Sequence, residues 1–192
     1  MTAPQTLADA ISSISHISTA VTFRHATTSD SKVIAQLVNS AYRGDSSRAG
    51  WTTEADLLEG TRITAERVEE LIEVQNSLIL LCLKDHNIVG CVHLQRNKDG
   101  CYLGMFVVKP ELQGSGIGKT FLQAAESLVQ NLWDIKKIWM TVIDIRTELI
   151  AFYERRGYCR TGKTKPFQSE QGNEVSLVDN LQFEELEKIL PL

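Results

Sequence analysis

The stretch Phe106-Val107-Val108-Lys109-Pro110-Glu111-Leu112-Gln113-Gly114-Ser115-Gly116-Ile117-Gly118-Lys119 decides how this chain reads. An apolar run, Cys101 to Val108, is stopped by Pro110 and followed by glycines at 114, 116 and 118. Behind them Ile117, Phe121, Ala124, Ala125, Leu128 and Leu132 share one helical face. The order is strand, glycine-rich turn, helix. The first turn of a helix has unbonded N–H groups and a partial positive charge. With no side chains in the way, those groups can close on a phosphate. The expectation is an anion-binding turn; a tight strand-to-helix connection is the plain alternative on glycines alone.

Two familiar phosphate loops fail on detail. A P-loop would use Gly118-Lys119-Thr120 but needs a glycine at 113, which is Gln. A dinucleotide fingerprint needs its third glycine at 119, which is Lys.

Outward from the turn, the chain alternates periods. Residues 1–20 read as an N-terminal extension, a weak helix or loose arm, with Leu7, Ala10, Ile11 and Ile14 at helical spacing. Val21 to Arg24 alternates as a first strand, and Thr28, Ser29 and Asp30 cap a helix through Val33, Ile34, Leu37, Val38 and Ala41. Arg43 to Trp51 is a loop, followed by helical stretches near Glu54–Leu58 and Ala65–Gln75. Ser77–Leu83, Ile88–Gln95 and Cys101–Val108 are strands, the last two joined across an Asp99-Gly100 turn. Lys137–Ile143 is a strand, Thr147 opens a helix ended by Gly157, and Tyr158–Lys163 is another strand. Phe183, Leu186, Ile189 and Leu190 have helical spacing. Runs of strands with helices between some of them indicate a mixed α+β domain, residues 21–192.

The 192 residues suffice for one domain with a core. Hydrophobic residues make up 43% and charged residues 23%, ordinary globular values. Twenty basic residues against 24 acidic ones give a net charge of −4, which argues against nucleic acid as a partner. No apolar run reaches membrane-span length, and Met1 to Ala20 lacks a signal-peptide pattern, so a cytoplasmic protein without a membrane partner is expected. Cys82, Cys91, Cys101 and Cys159 form no C-x-x-C pair, and no metal is expected.

Gln113-x-x-Gly116-x-Gly118 resembles the acetyl-CoA signature Q/R-x-x-G-x-G/A of the GNAT superfamily of N-acetyltransferases. Downstream, Ala151-Phe152-Tyr153-Glu154-Arg155-Arg156-Gly157-Tyr158 is similar to that family's apolar-Tyr-Glu-basic-x-Gly-aromatic segment. The resemblance covers Val21 to Leu190, with the first strand ending in Arg24-x-Ala26-x-x-x-Asp30. It implies a single GNAT-like α+β domain. Its mixed, strongly bent sheet of about seven strands has splayed fourth and fifth strands and helices on both faces. It also implies a last strand, not a helix, at Phe183–Leu190, with Pro166 to Asn180 as a long loop.

By the same resemblance acetyl-CoA is the acetyl donor. The backbone of Phe106, Val107 and Val108 would pair with its pantetheine arm. Gln113, Gly114, Ser115, Gly116, Ile117, Gly118 and Lys119 would hold its pyrophosphate. Tyr153 stands where the family places the general acid. Arg146 replaces an Asn that often touches the cofactor, and Tyr102 and Thr141 stand where many members carry a catalytic Glu. The segment after the first helix usually covers the acceptor, here with Tyr42, Arg43, Arg48, Trp51 and Glu54. An Arg suits a substrate carboxylate, and Glu54 an amine, so the expected acceptor is a small-molecule, amino-acid-like amine. His93 and the first three cysteines read as core or sheet-face residues. Exposed strand edges would allow a homodimer. The alternative function is a non-catalytic acyl-CoA-binding or regulatory module, and a nucleotide-binding enzyme is a third reading.

Overall fold

The computed structural model describes residues 6–168 and 174–191. In chain order the elements are α1 Leu7–Ile14, β1 Thr22–His25, α2 Ser31–Tyr42, α3 Gly44–Ser47, β2 Leu58–Gly60 and α4 Ala65–Glu73. Then come β3 Ser77–Lys84, β4 Asn87–Asn97, β5 Gly100–Val108, α5 Ile117–Trp133, β6 Lys137–Ile143 and α6 Thr147–Glu154. β7 Cys159–Pro166, β8 Glu174–Ser176 and β9 Gln182–Ile189 complete it. Seven strands form one sheet in the order β1-β3-β4-β5-β6-β9-β7, while β2 pairs with β8 in a separate two-stranded piece. All pairings are antiparallel except β5 with β6.

Helices cover both faces. The unbroken apolar run of β3 follows from this: Leu78, Leu80 and Cys82 enter the cluster under α1, α5 and α6. Ile79 and Leu81, one pleat away, enter the cluster under α2 and α4. α5 puts Phe121, Ala124, Ala125 and Leu128, all fully buried, onto the first cluster. Burying Phe121 and Leu128 contributes roughly 1.5–3 kcal/mol each.

The sheet opens where two strands part. β5 meets β6 only at Cys101↔Ile138 and Tyr102↔Trp139, though both strands run on. Just beyond, β5 carries a bulge: Met105 and Phe106 together oppose Val92, and Met105 has φ 50°. The bulge breaks the strand's alternation and bends it away from β6.

Three readings are refined. The N-terminal stretch forms α1, with Ala10 and Ile14 fully buried against the main core. Glu54–Leu58 is not helical: the Leu57 and Leu58 N–H groups donate to Glu54 O in one turn, and the chain passes into β2. Its pairing with β8 and Gly60 at φ 101° forbid helical continuation. The tail is the strand that the resemblance implied and not the helix its spacing suggested: β9 fills the place between β6 and β7. There Leu186 is buried and Ile189 is exposed. The Arg43–Trp51 loop also contains the single-turn α3.

Candidate active site

The glycine turn sits at the end of β5. Gly114 (φ 81°) and Gly116 (φ 90°) hold left-handed conformations that L side chains rarely adopt, and open space lies where a Cβ would stand on either. The first helical bond of α5 runs from Thr120 N to Gly116 O, at 3.2 Å. The N–H groups of Ile117, Gly118 and Lys119 therefore have no partner inside the helix. Gln113 fixes the turn: its Nε2 donates to Val108 O at 3.0 Å and to Thr52 Oγ1 at 2.8 Å, and its Oε1 accepts from Thr52 N. Ser115 folds back onto Leu112 O. A cavity of about 350 Å³ covers this turn, lined also by Trp51, Phe152, Arg155 and Arg156. Arg156 stacks on the Phe152 ring at 3.4 Å and bonds Phe152 O, and Trp51 leans on the same ring at 5.5 Å. Backbone donors, open space and a cationic rim of Lys119, Arg155 and Arg156 fit a pyrophosphate.

A second cavity, about 400 Å³, fills the split between β5 and β6. Leu103 to Phe106 form one wall and Met140 to Ile143 the other. The two cavities share four residues: Tyr42, Phe106, Leu149 and Tyr153. Tyr153 is buried, and its ring is gripped by Phe152 at 5.2 Å, Tyr158 at 5.5 Å and Phe106 at 6.5 Å. Burial pushes its phenol above the ordinary value, so it stays protonated. Tyr42, partly buried and likewise raised, donates to Phe106 O at 2.9 Å. Phe106 O and Val108 O therefore both face away from β4 and already carry a donor from this chain.

The far wall of the split is an alternating chain of charges. Glu54 takes Arg43 on Oε2 and Arg146 on Oε1, each at 2.5 Å. Arg43 also pairs with Glu174, which Arg62 approaches at 3.8 Å. The Arg43, Glu54, Arg146 and Glu174 side chains are each less than 10% exposed. Arg146 also donates to Thr52 O, and its guanidinium lies 6.0 Å from the Tyr42 ring centroid.

The structure thus sorts the expected site residues. Gln113, Gly114, Gly116, Gly118, Lys119, Phe106 and Val108 gather at the turn cavity, and Trp51 joins them there, not on the acceptor side. Val107 turns its side chain into the opposite core. Tyr42 and Glu54 line the split, and so does Arg146, expected on the cofactor side. Arg43 is buried behind that wall, its two terminal nitrogens engaged by Glu54 and Glu174. Arg48 belongs to neither cavity: it is half exposed and paired with Asp56 at 2.7 Å. Tyr102 and Thr141 both line the split. Sequence reasoning missed Arg62, Lys165 and Glu174 here, and Arg155 and Arg156 as a phosphate rim; only the double basic run before Gly157 carried a signal. His93 is buried at Ser77: the Ser77 hydroxyl donates to Leu71 O at 2.5 Å and so accepts from His93 Nε2 at 2.8 Å.

No helix among the described residues is long and apolar enough to cross a membrane. The acetyltransferase (GNAT) family profile matches residues 36–158. No curated protein gives a significant match. Among solved structures, the spermidine/spermine N-acetyltransferase SpeG from Vibrio cholerae is 16% identical with a TM-score of 0.63, covering 90% of this chain and 94% of that one. The ribosomal-protein-S18-alanine N-acetyltransferase from Escherichia coli is 12% identical with a TM-score of 0.65, covering 90% and 95%. A GNAT-family acetyltransferase from Streptococcus pneumoniae is 16% identical at 0.65, covering 89% and 99%. At such identities the likeness is one of fold.

Proposed function

The chain belongs to the acetyltransferase (GNAT) family, and we propose that it moves an acetyl group from acetyl-CoA to a primary amine of a small, amino-acid-like acceptor. The observation that carries this reading is the meeting of two cavities at Tyr153, one under phosphate-type donors and one in the split sheet. Acetyl-CoA, when bound, supplies an acetyl group activated as a thioester. The Ile117–Lys119 amides with Lys119, Arg155 and Arg156 take its phosphates, and the split-facing N–H groups of β5 take its arm.

Direct transfer follows from the residues present. The amine lone pair forms the C–N bond as the C–S bond breaks, and a β5 N–H steadies the charge that grows on the carbonyl oxygen. Tyr153 gives its proton to the departing sulfur, and the surplus amine proton leaves through water, which in turn reprotonates the Tyr153 phenolate, since Tyr102 and Thr141 are no bases at neutral pH. Burial raises the Tyr153 phenol, which keeps it protonated until the sulfur departs.

The test is CoA-thiol release from acetyl-CoA with a panel of amines. Tyr153→Phe is expected to lower kcat by roughly a hundredfold while calorimetry still shows CoA binding. Binding without thiol release for any amine would instead favour an acyl-CoA-binding module.

A further inference from the structure

The split cavity is positively charged in an acidic protein. Its wall carries Arg62, Arg146 and Lys165 against Glu54 as the one carboxylate among the described lining residues, although the chain as a whole carries −4. Both oxygens of Glu54 are already taken by Arg43 and Arg146, at 2.5 Å each. Behind the wall, Glu174 is engaged by Arg43. Among the described residues Lys165 meets no carboxylate; its ammonium stands over the Phe183 ring at 5.4 Å. Among the described residues a second ammonium on the acceptor would find no unengaged carboxylate, since Glu54 and Glu174 already face arginines, and two like charges nearby, whereas an anionic group would be drawn in.

Resting on the acetyl transfer proposed above, we infer that the acceptor is an amine carrying a carboxylate or phosphate, seated against Lys165 and Arg62, and that polyamines are rejected. The acceptor's amine then points toward Tyr153 and its anionic end toward β7. Lys165 is the specificity-determining residue, because Arg146 is held by Glu54 and by Thr52 O.

The experiment compares matched pairs in the thiol-release assay. Phenylalanine is set against phenethylamine, phosphoethanolamine against ethanolamine, and spermidine serves as the polycation; the first two pairs separate a carboxylate from a phosphate. The inference expects kcat/KM at least about tenfold higher for the anionic member of one pair, with that preference lost in Lys165→Glu and weakened in Lys165→Gln. Equal rates, a preference for spermidine, or a preference unchanged in Lys165→Glu would overturn it. A readout without turnover separates this from the parent proposal. Calorimetry of N-acetylphenylalanine and N-acetylphenethylamine on the CoA-loaded protein is expected to favour the anion, and equal or reversed affinities would overturn the inference. Absence of thiol release with every amine would count against acetyl transfer, and the binding comparison would still decide the charge preference.

Discussion

The glycine turn and the charged wall face each other across Tyr153, and they are built by opposite means. The turn is one contiguous segment, made of main-chain N–H groups that two left-handed glycines expose. The wall is made of side chains whose ion pairs join residues 11, 92 and 131 positions apart. A backbone device needs only local geometry and no partner from elsewhere. A side-chain device exists only after the whole sheet has formed, and its buried charges are tolerable only in full company. The proposed donor end of the molecule is thus set locally, and the proposed acceptor end is set by tertiary structure.

That contrast can be broken. Glu54→Ala leaves the Arg43 and Arg146 guanidinium groups buried without their shared anion. Denaturant unfolding is expected to show a loss of about 3–5 kcal/mol, while CoA affinity changes far less. A CoA affinity that collapsed along with stability would mean the two ends are not separately built.

His93 tests the ground behind the split. Burial, with Arg67 nearby, lowers its imidazole to about 4. A folded value below the free one means that the folded protein binds fewer protons. Stability is therefore intact above about pH 6.5 and is lost as pH falls toward 4, by up to about 3 kcal/mol. Unfolding curves across that window are expected to flatten in His93→Gln; an unchanged slope would assign the acid sensitivity elsewhere.

On the donor side, Gly116→Val forces a β-branched residue to φ 90°. It is expected to weaken CoA at least about tenfold by calorimetry at a fold cost of about 1–3 kcal/mol, with the charged wall intact. Retained affinity would show that the turn is merely a connection. The smallest effect belongs to Arg48→Ala, since its pair with Asp56 is exposed; thiol-release rates are expected to stay within about twofold of the parent. A larger loss would bring the α3 segment back into the acceptor site.

Legibility followed the same division. Gln113-x-x-Gly116-x-Gly118 stood out because the function proposed for it lies in consecutive residues, and Tyr153 because a second motif surrounds it. The periodic face of α5 and the unbroken apolar run of β3 were plain. Arg43 and Arg48 looked alike in sequence, yet one is buried between carboxylates and the other lies in solvent; only the arrival of Glu174 beside α2 separates them. Lys165 and Arg62 gave no local signal at all. On spacing alone Phe183, Leu186 and Leu190 pointed to a helix, and only the resemblance pointed to the strand, because a strand flanked on both edges takes its inward residues from its neighbours, not from its own period.

The bulge at Met105 has a consequence of its own. A strand has a two-beat phase, and one supernumerary residue shifts every later beat. Before Met105, β5 keeps step with β4; after it, Phe106 is turned toward Phe121 and Tyr153, and Val107 toward the opposite core. Deleting that single residue would leave Phe106 alone opposite Val92, on the face it already holds, and would take out the kink, so that β5 could resume its march alongside β6 until the gap was zipped shut.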